Sequence, residues 1–212
     1  MQGVSRARIA ARPIVRSLGL TGYDATWRAM QDFTAARTSG TPDEIWLTEH
    51  APVYTLGVAG RSAHLPRERS DIPVVRIDRG GQITYHGPGQ LVAYVLLDLK
   101  RSGLTVRALV RRLEAAVIDL LSEYGISASN RPQAPGVYVG DAKVAALGLR
   151  ITRGCCYHGI ALNVEMDLSP FHAIDPCGYP GLAVTQLREL GVTDDLKSVG
   201  EKLARHLLEG LA

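Results

Sequence analysis

Between Tyr23 and Thr34 the apolar positions Tyr23, Trp27, Met30 and Phe33 or Thr34 recur at helical spacing, which predicts a helix opening after Thr21 and ending near Ser39-Gly40. It is preceded by a short apolar segment around Ile14 to Leu18. The β-type runs follow: Glu44 to Glu49, Val53 to Leu56, Val74 to Ile77 and, strongest of all, Leu91 to Leu99. From Thr105 to Tyr124, the residues Val106, Leu109, Val110, Leu113, Val117, Leu120, Leu121 and Tyr124 form one stripe and Gly125 supplies a stop. That pattern turns Arg107, Arg111 and Arg112 toward water. Val137 to Val139, Lys143 to Ile151 and Tyr157 to Val164 read as successive strands with turns at Gly140-Asp141 and Arg153-Gly154. A last amphipathic helix starts near Asp194 and carries Val199, Leu203, Leu207 and Leu211 on one side. Strands interleaved with helices, without a repeat or Gly/Ser linker, predict one mixed α/β domain over residues 1–212, with 1–13 a frayed terminus.

Composition narrows the class. With 46% hydrophobic and 21% charged residues in 212, the chain has an ordinary globular make-up. The longest strongly apolar run, Leu91 to Leu97, is far short of the ~20 residues of a membrane-spanning helix. A net charge of +3 without a basic block argues against a nucleic-acid arm. Cys155, Cys156 and Cys177 are an odd number of thiols in a chain that opens without a hydrophobic signal segment, which suits a reducing cytoplasm. Lys100, Lys143, Lys197 and Lys202 are the only lysines among 24 basic residues, so each invites a reason.

Three segments do not read as packing. Arg79-Gly80-Gly81-Gln82-Ile83-Thr84-Tyr85-His86-Gly87-Pro88-Gly89-Gln90 spends four glycines between two strand-like runs, either as a glycine-rich hairpin or as a backbone surface that a thin substrate can approach. In Gly140 to Arg150 a lone Lys143 precedes a small-residue strand; it is either a solvated edge charge or a partly buried ammonium able to shuttle protons. Asp175-Pro176-Cys177-Gly178-Tyr179-Pro180 sets a cysteine in a kinked loop, unlike the apolar surroundings of core thiols. Cys155, Cys156, His158, His172 and Cys177 follow no standard zinc spacing, so no metal is expected.

Together these segments resemble the lipoyl(octanoyl) transferase family. The family pattern Arg-Gly-Gly-x-x-Thr-aromatic-His-x-x-Gly-Gln is met by Arg79, Gly80, Gly81, Thr84, Tyr85, His86, Gly89 and Gln90. Its lysine-bearing strand resembles Lys143 to Arg150, its His-Gly-aliphatic-Ala-Leu-Asn segment matches His158 to Asn163, and its Pro-Cys-Gly loop matches Pro176 to Gly178. The resemblance implies a fold like that of the biotin and lipoate protein ligases, a mixed sheet backed by helices. It also implies octanoyl transfer from octanoyl-acyl carrier protein to a lysine of lipoyl domains, those of 2-oxoacid dehydrogenases and the glycine cleavage H protein, without a cofactor. Carried over by position, Cys177 is the thioester nucleophile and Lys143 its base. The stretch Arg79 to His86, with Ala146, Leu147, Gly148, Gly159, Ile160 and Ala161, lines the acyl and pantetheine channel, and the loop amides near Gly178 or Gly80-Gly81 are candidate oxyanion donors. The exposed arginines of the long helix are candidate contacts for the acidic carrier protein. A ligase of the same fold would adenylate a free acid with ATP and has no need of Cys177; a non-catalytic acyl- or zinc-binding module is the reading from a different class.

Overall fold

The computed structural model describes residues 12–67, 71–175 and 181–211. In chain order the elements are β1 (Ile14–Thr21), α1 (Tyr23–Ala35), β2 (Glu44–His50), β3 (Val53–Leu56), β4 (Val74–Arg76), β5 (Ile83–His86), β6 (Gln90–Asp98), α2 (Leu99–Ser102) and α3 (Val106–Glu123). They continue with β7 (Ser129–Asn130), β8 (Gly136–Val139), β9 (Ala142–Thr152), β10 (Cys155–Asn163) and α4 (Leu196–Leu211).

Seven strands form one sheet in the order β1-β2-β6-β10-β9-β8-β7. β1 runs parallel to β2 and the other neighbours are antiparallel. Because β6 lies inside the sheet and is covered on both faces, its side chains from Leu91 to Leu97 form an unbroken apolar and aromatic run. Leu91, Ala93, Val95 and Leu97 face α3 and α4, against Leu109, Leu113, Leu120, Val199, Leu203 and Leu207. Val92, Tyr94 and Leu96 face the opposite way, with Trp46, Tyr157 and Met30 of α1. A second sheet, β4-β3-β5, lies beside the first, and its Tyr54, Leu56, Ile83 and Tyr85 pack on Met166, Phe171 and Ile174.

Several expectations need correcting. α1 stops at Ala35, before Ser39-Gly40, and α4 begins at Leu196, not Asp194. The segment around Ile14 to Leu18 is an edge strand whose residues are exposed nearly throughout. The glycine-rich stretch 79–90 contains a true strand, β5, paired antiparallel with β3. On α3, Val106 at its first turn is exposed, whereas Arg112 turns inward and its Nη1 donates to the Gly210 carbonyl at 2.9 Å. Only Arg107 and Arg111 of the three arginines are exposed. Glu114 of the same helix is buried, 4% exposed, beneath the loop that enters β8.

Candidate active site

The site grows from one stretch of strand pairing. β9 and β10 are in register so that Gly148 faces Gly159, Leu147 faces Ile160 and Ala146 faces Ala161. Small residues opposite one another leave a shallow trough along the sheet. Gly159 is dictated by the neighbouring strand too, because a Cβ there would stand 2.0 Å from the Ala93 carbonyl oxygen. The turn Arg79 to Gly81 roofs the trough and is pinned to it: the Gly80 N–H donates to the Leu149 carbonyl at 2.8 Å. The space under this roof, open solvent at its mouth included, is about 500 Å³.

Of the predicted channel residues, Arg79, Gly81, Gln82, Ile83, Thr84, His86, Ala146, Leu147, Gly148, Gly159, Ile160 and Ala161 line this cavity. Gly80 and Tyr85 do not. Alternation along β5 turns Tyr85 to the other side, where its ring meets Tyr54 at 5.5 Å and Phe171 at 5.6 Å. The Gly80 amide is engaged by Leu149 and is therefore no oxyanion donor. The cavity adds Tyr23, Val92, Tyr94 and His158, which sequence reasoning left in the core or unassigned.

Much of the polar wall is held by bonds within the protein. Arg79 reaches Thr55 with Nη2 donating to the carbonyl at 2.7 Å and to Oγ1 at 2.9 Å. His86 stacks on Tyr23, 5.6 Å between ring centroids, and its Nδ1 meets Gln90 Oε1 at 2.7 Å. Burial pushes His86 well below the ordinary histidine range, and its neighbours His50 and Arg79 push the same way. His50 meets the Tyr94 hydroxyl at 2.6 Å through Nε2 and is pushed down to about 4, chiefly by burial. Burial likewise lowers His158, against the pull of Asp78 2.9 Å from Nε2. Burial opposes ionisation of Asp78, yet hydrogen bonds from His158, Tyr157 and Trp27 hold its carboxyl well below the usual range. His158 also has a positive φ of 65°, unusual for a residue with a side chain.

Lys143 is 3% exposed, which removes the reading of a solvated edge charge. Its Nζ donates to the Pro135 carbonyl at 3.2 Å and lies 5.2 Å from the centroid of the Tyr138 ring. Its backbone is bracketed by the returning chain: Lys143 N–H donates to Ala183 O at 2.8 Å and Thr185 N–H to Lys143 O at 3.0 Å. Cys177, with Pro176 and Gly178, lies outside the described residues. The other two thiols are poor nucleophiles by environment. Burial pushes Cys156 up to about 12 and its Sγ donates to the Val95 carbonyl at 3.4 Å, while burial and Asp98 raise Cys155. Among the described residues no group of three or more His, Cys, Asp or Glu is placed to hold a metal ion, and no helix is long and apolar enough to cross a membrane.

The sheet with its roofing turn is the architecture of the lipoate and biotin protein ligases. It superposes on a lipoate-protein ligase A solved with ATP (TM-score 0.78, 16% identity, covering 95% of this chain and 86% of that one). It also superposes on the biotin protein ligase of Aquifex aeolicus (TM-score 0.56, 16% identity, 95% and 70%). At such identities the likeness defines the fold alone. Residues 23–208 match the lipoyl protein ligase A/B catalytic domain. The chain is also 60% identical to the octanoyltransferase of Dechloromonas aromatica, over 94% of this chain and 97% of that one. Against the octanoyltransferase of Thiobacillus denitrificans it is 65% identical, over 84% and 82%. The chain therefore belongs to the lipoyl protein ligase A/B catalytic-domain family and, within it, to the octanoyltransferases.

Proposed function

We propose that the protein moves an octanoyl group from octanoyl-acyl carrier protein to Cys177 and from there to a lysine of a lipoyl domain, with 2-oxoacid dehydrogenases and the glycine cleavage H protein as acceptors. In the first step the Cys177 thiolate attacks the donor thioester; the new Sγ–C bond replaces the pantetheine S–C bond, and the released thiolate takes up a proton. In the second the acceptor amine attacks the acyl-enzyme, the amide forms, and the cysteine leaves as thiolate. Thioester exchange is nearly balanced and the amide is the stabler product, so two easy steps replace one difficult one.

The observation that carries this reading is the burial of Lys143 within β9, bonded to Ala183 only six residues after Cys177. A free thiol with a pKa of about 8.5 needs roughly 2 kcal/mol to reach about 7, and an ammonium ~4 Å away contributes up to ~4 kcal/mol at an effective dielectric of about 20. One lysine suffices to activate the thiol, and once neutral it can take the proton of the incoming amine. The trough between β9 and β10, lined by Ala146, Leu147, Gly148, Gly159, Ile160 and Ala161, offers the acyl chain an apolar slot clear of bulky side chains. The arginines Arg107 and Arg111 remain candidate contacts for the acidic donor.

An octanoyl-loaded lipoyl domain is expected to accumulate when octanoyl-acyl carrier protein and apo-domain are mixed with the protein in the presence of a chelator and apyrase. Mass spectrometry of the domain reads this directly. Transfer that appears only from free octanoate with ATP would instead place the protein with the ligases that share its fold.

A further inference from the structure

Lys143 is gripped by a peptide unit that is itself gripped from behind. The Pro135 carbonyl accepts from Lys143 Nζ at 3.2 Å, and the N–H of the same peptide, that of Gly136, donates to Glu114 Oε1 at 3.0 Å. Carboxylate, amide and ammonium thus stand in series, with Glu114 4% and Lys143 3% exposed. Glu114 Oε2 accepts from Asn130 Nδ2 at 2.8 Å, which fixes the carboxylate plane. Gly136 has a φ of 139°, and a Cβ there would meet Ala145 O at 2.6 Å and Lys143 Cε at 3.1 Å, so the peptide can come this close to the lysine only as glycine.

We infer that Glu114 is a positioning residue for Lys143, fixing its ammonium through the Pro135–Gly136 peptide and placing a counter-charge on the far side of that peptide. The physical basis is twofold. A carboxylate on the N–H polarises the amide and makes its carbonyl a stronger acceptor. The carboxylate and the ammonium are also under about 9 Å apart, the sum of the two hydrogen bonds and the width of the amide. Of the acids near in sequence to the segments that bracket Lys143, Asp141 is fully exposed and paired with Arg131, and Glu189 accepts from Thr185 Oγ1 at 3.0 Å. Among the described residues Lys143 also meets the Tyr138 ring, 5.2 Å from its Nζ, on which the guanidinium carbon of Arg131 lies 4.3 Å from the centroid. The inference deepens the reading of Lys143 as the proton-handling group and rests on it for its catalytic meaning.

The test exploits the presence of only four lysines. In protein labelled with ¹³C at lysine Cε, the Lys143 signal, assigned by its loss in Lys143→Arg, is titrated in the parent, Glu114→Gln and Glu114→Asp. Glu114→Gln keeps an acceptor for Gly136 but removes the charge, and should move the Lys143 midpoint down by about one pH unit. Glu114→Asp keeps the charge and should leave the midpoint close to the parent's. In the unsubstituted protein the Gly136 amide resonance should move with the same midpoint, a readout that survives if the variants fail to fold. An unmoved Lys143 midpoint in Glu114→Gln, or a Gly136 amide indifferent to the Lys143 titration, would overturn the inference. Neither readout uses turnover, so failure of the catalytic reading would show separately, as unimpaired transfer by Lys143→Ala.

Discussion

Lys143→Ala is expected to lower octanoyl transfer to a lipoyl domain by about 10²–10⁴-fold, the usual contribution of a positioned acid–base group. Two separable losses make up that figure. Without the ammonium, Cys177 should alkylate more slowly at pH 7 and the pH profile of acyl-enzyme formation should move upward. Without a releasable proton, the second step should also slow. Lys143→Arg separates them, because a guanidinium keeps the charge but does not deprotonate near neutrality. It should acylate better than Lys143→Ala and still transfer poorly. Single-turnover rates for the two steps, measured for both variants, check this. A Lys143→Ala protein that alkylates and turns over like the parent would show that the buried lysine serves packing alone.

Stability should fall as the solution is acidified from pH 7.5 to pH 5, before most carboxylates titrate. His50, His86 and His158 are lowered in the folded protein by burial. The unfolded chain, with histidines near 6.5, therefore binds more protons through this window, and unfolding becomes easier as pH falls. Their contribution is complete above about pH 6.5 and is lost toward the folded values, about 4 for His50. His50 alone represents on the order of 3 kcal/mol across that range. Asp78, held low by its hydrogen bonds, acts in a lower window, since its stabilisation is lost only below the ordinary carboxylate range. Urea unfolding at the two pH values measures the difference, and His50→Gln should shrink it. Equal midpoints at pH 7.5 and pH 5 would mean that the histidines are solvated in the folded protein.

The parts of this architecture that depend on local pattern are legible in the chain. β6 is plain because both its faces are buried, and α3 and α4 because each buries one stripe. The small-residue strand after Lys143 is legible in the chain, but only the resemblance to the transferase family implies that it lines a channel. What escaped depends on placement from far along the sequence. Tyr23 and Tyr94 occupy positions that fit core periodicity, and only the roofing turn of Arg79 makes them a cavity wall. His158 lies in a recognisable motif, but its aim into the cavity comes from a positive φ and from Asp78, eighty residues earlier. Glu114 looks like one more helix-surface acid until the 130–136 loop closes over it. Pattern reading placed Arg112 on the solvent face for the same reason, since nothing local announces that Gly210 will offer it a carbonyl.

The central claim is that the octanoyl group passes through a thioester on Cys177. Intact-protein mass spectrometry after incubation with octanoyl-acyl carrier protein alone tests it most directly. The account predicts one octanoyl adduct, released by hydroxylamine, that is lost in Cys177→Ser and kept in Cys155→Ser and Cys156→Ser, whose raised thiols are unsuited to attack. An adduct that persists in Cys177→Ser, or transfer to a lipoyl domain at parental rate by that variant, would contradict it.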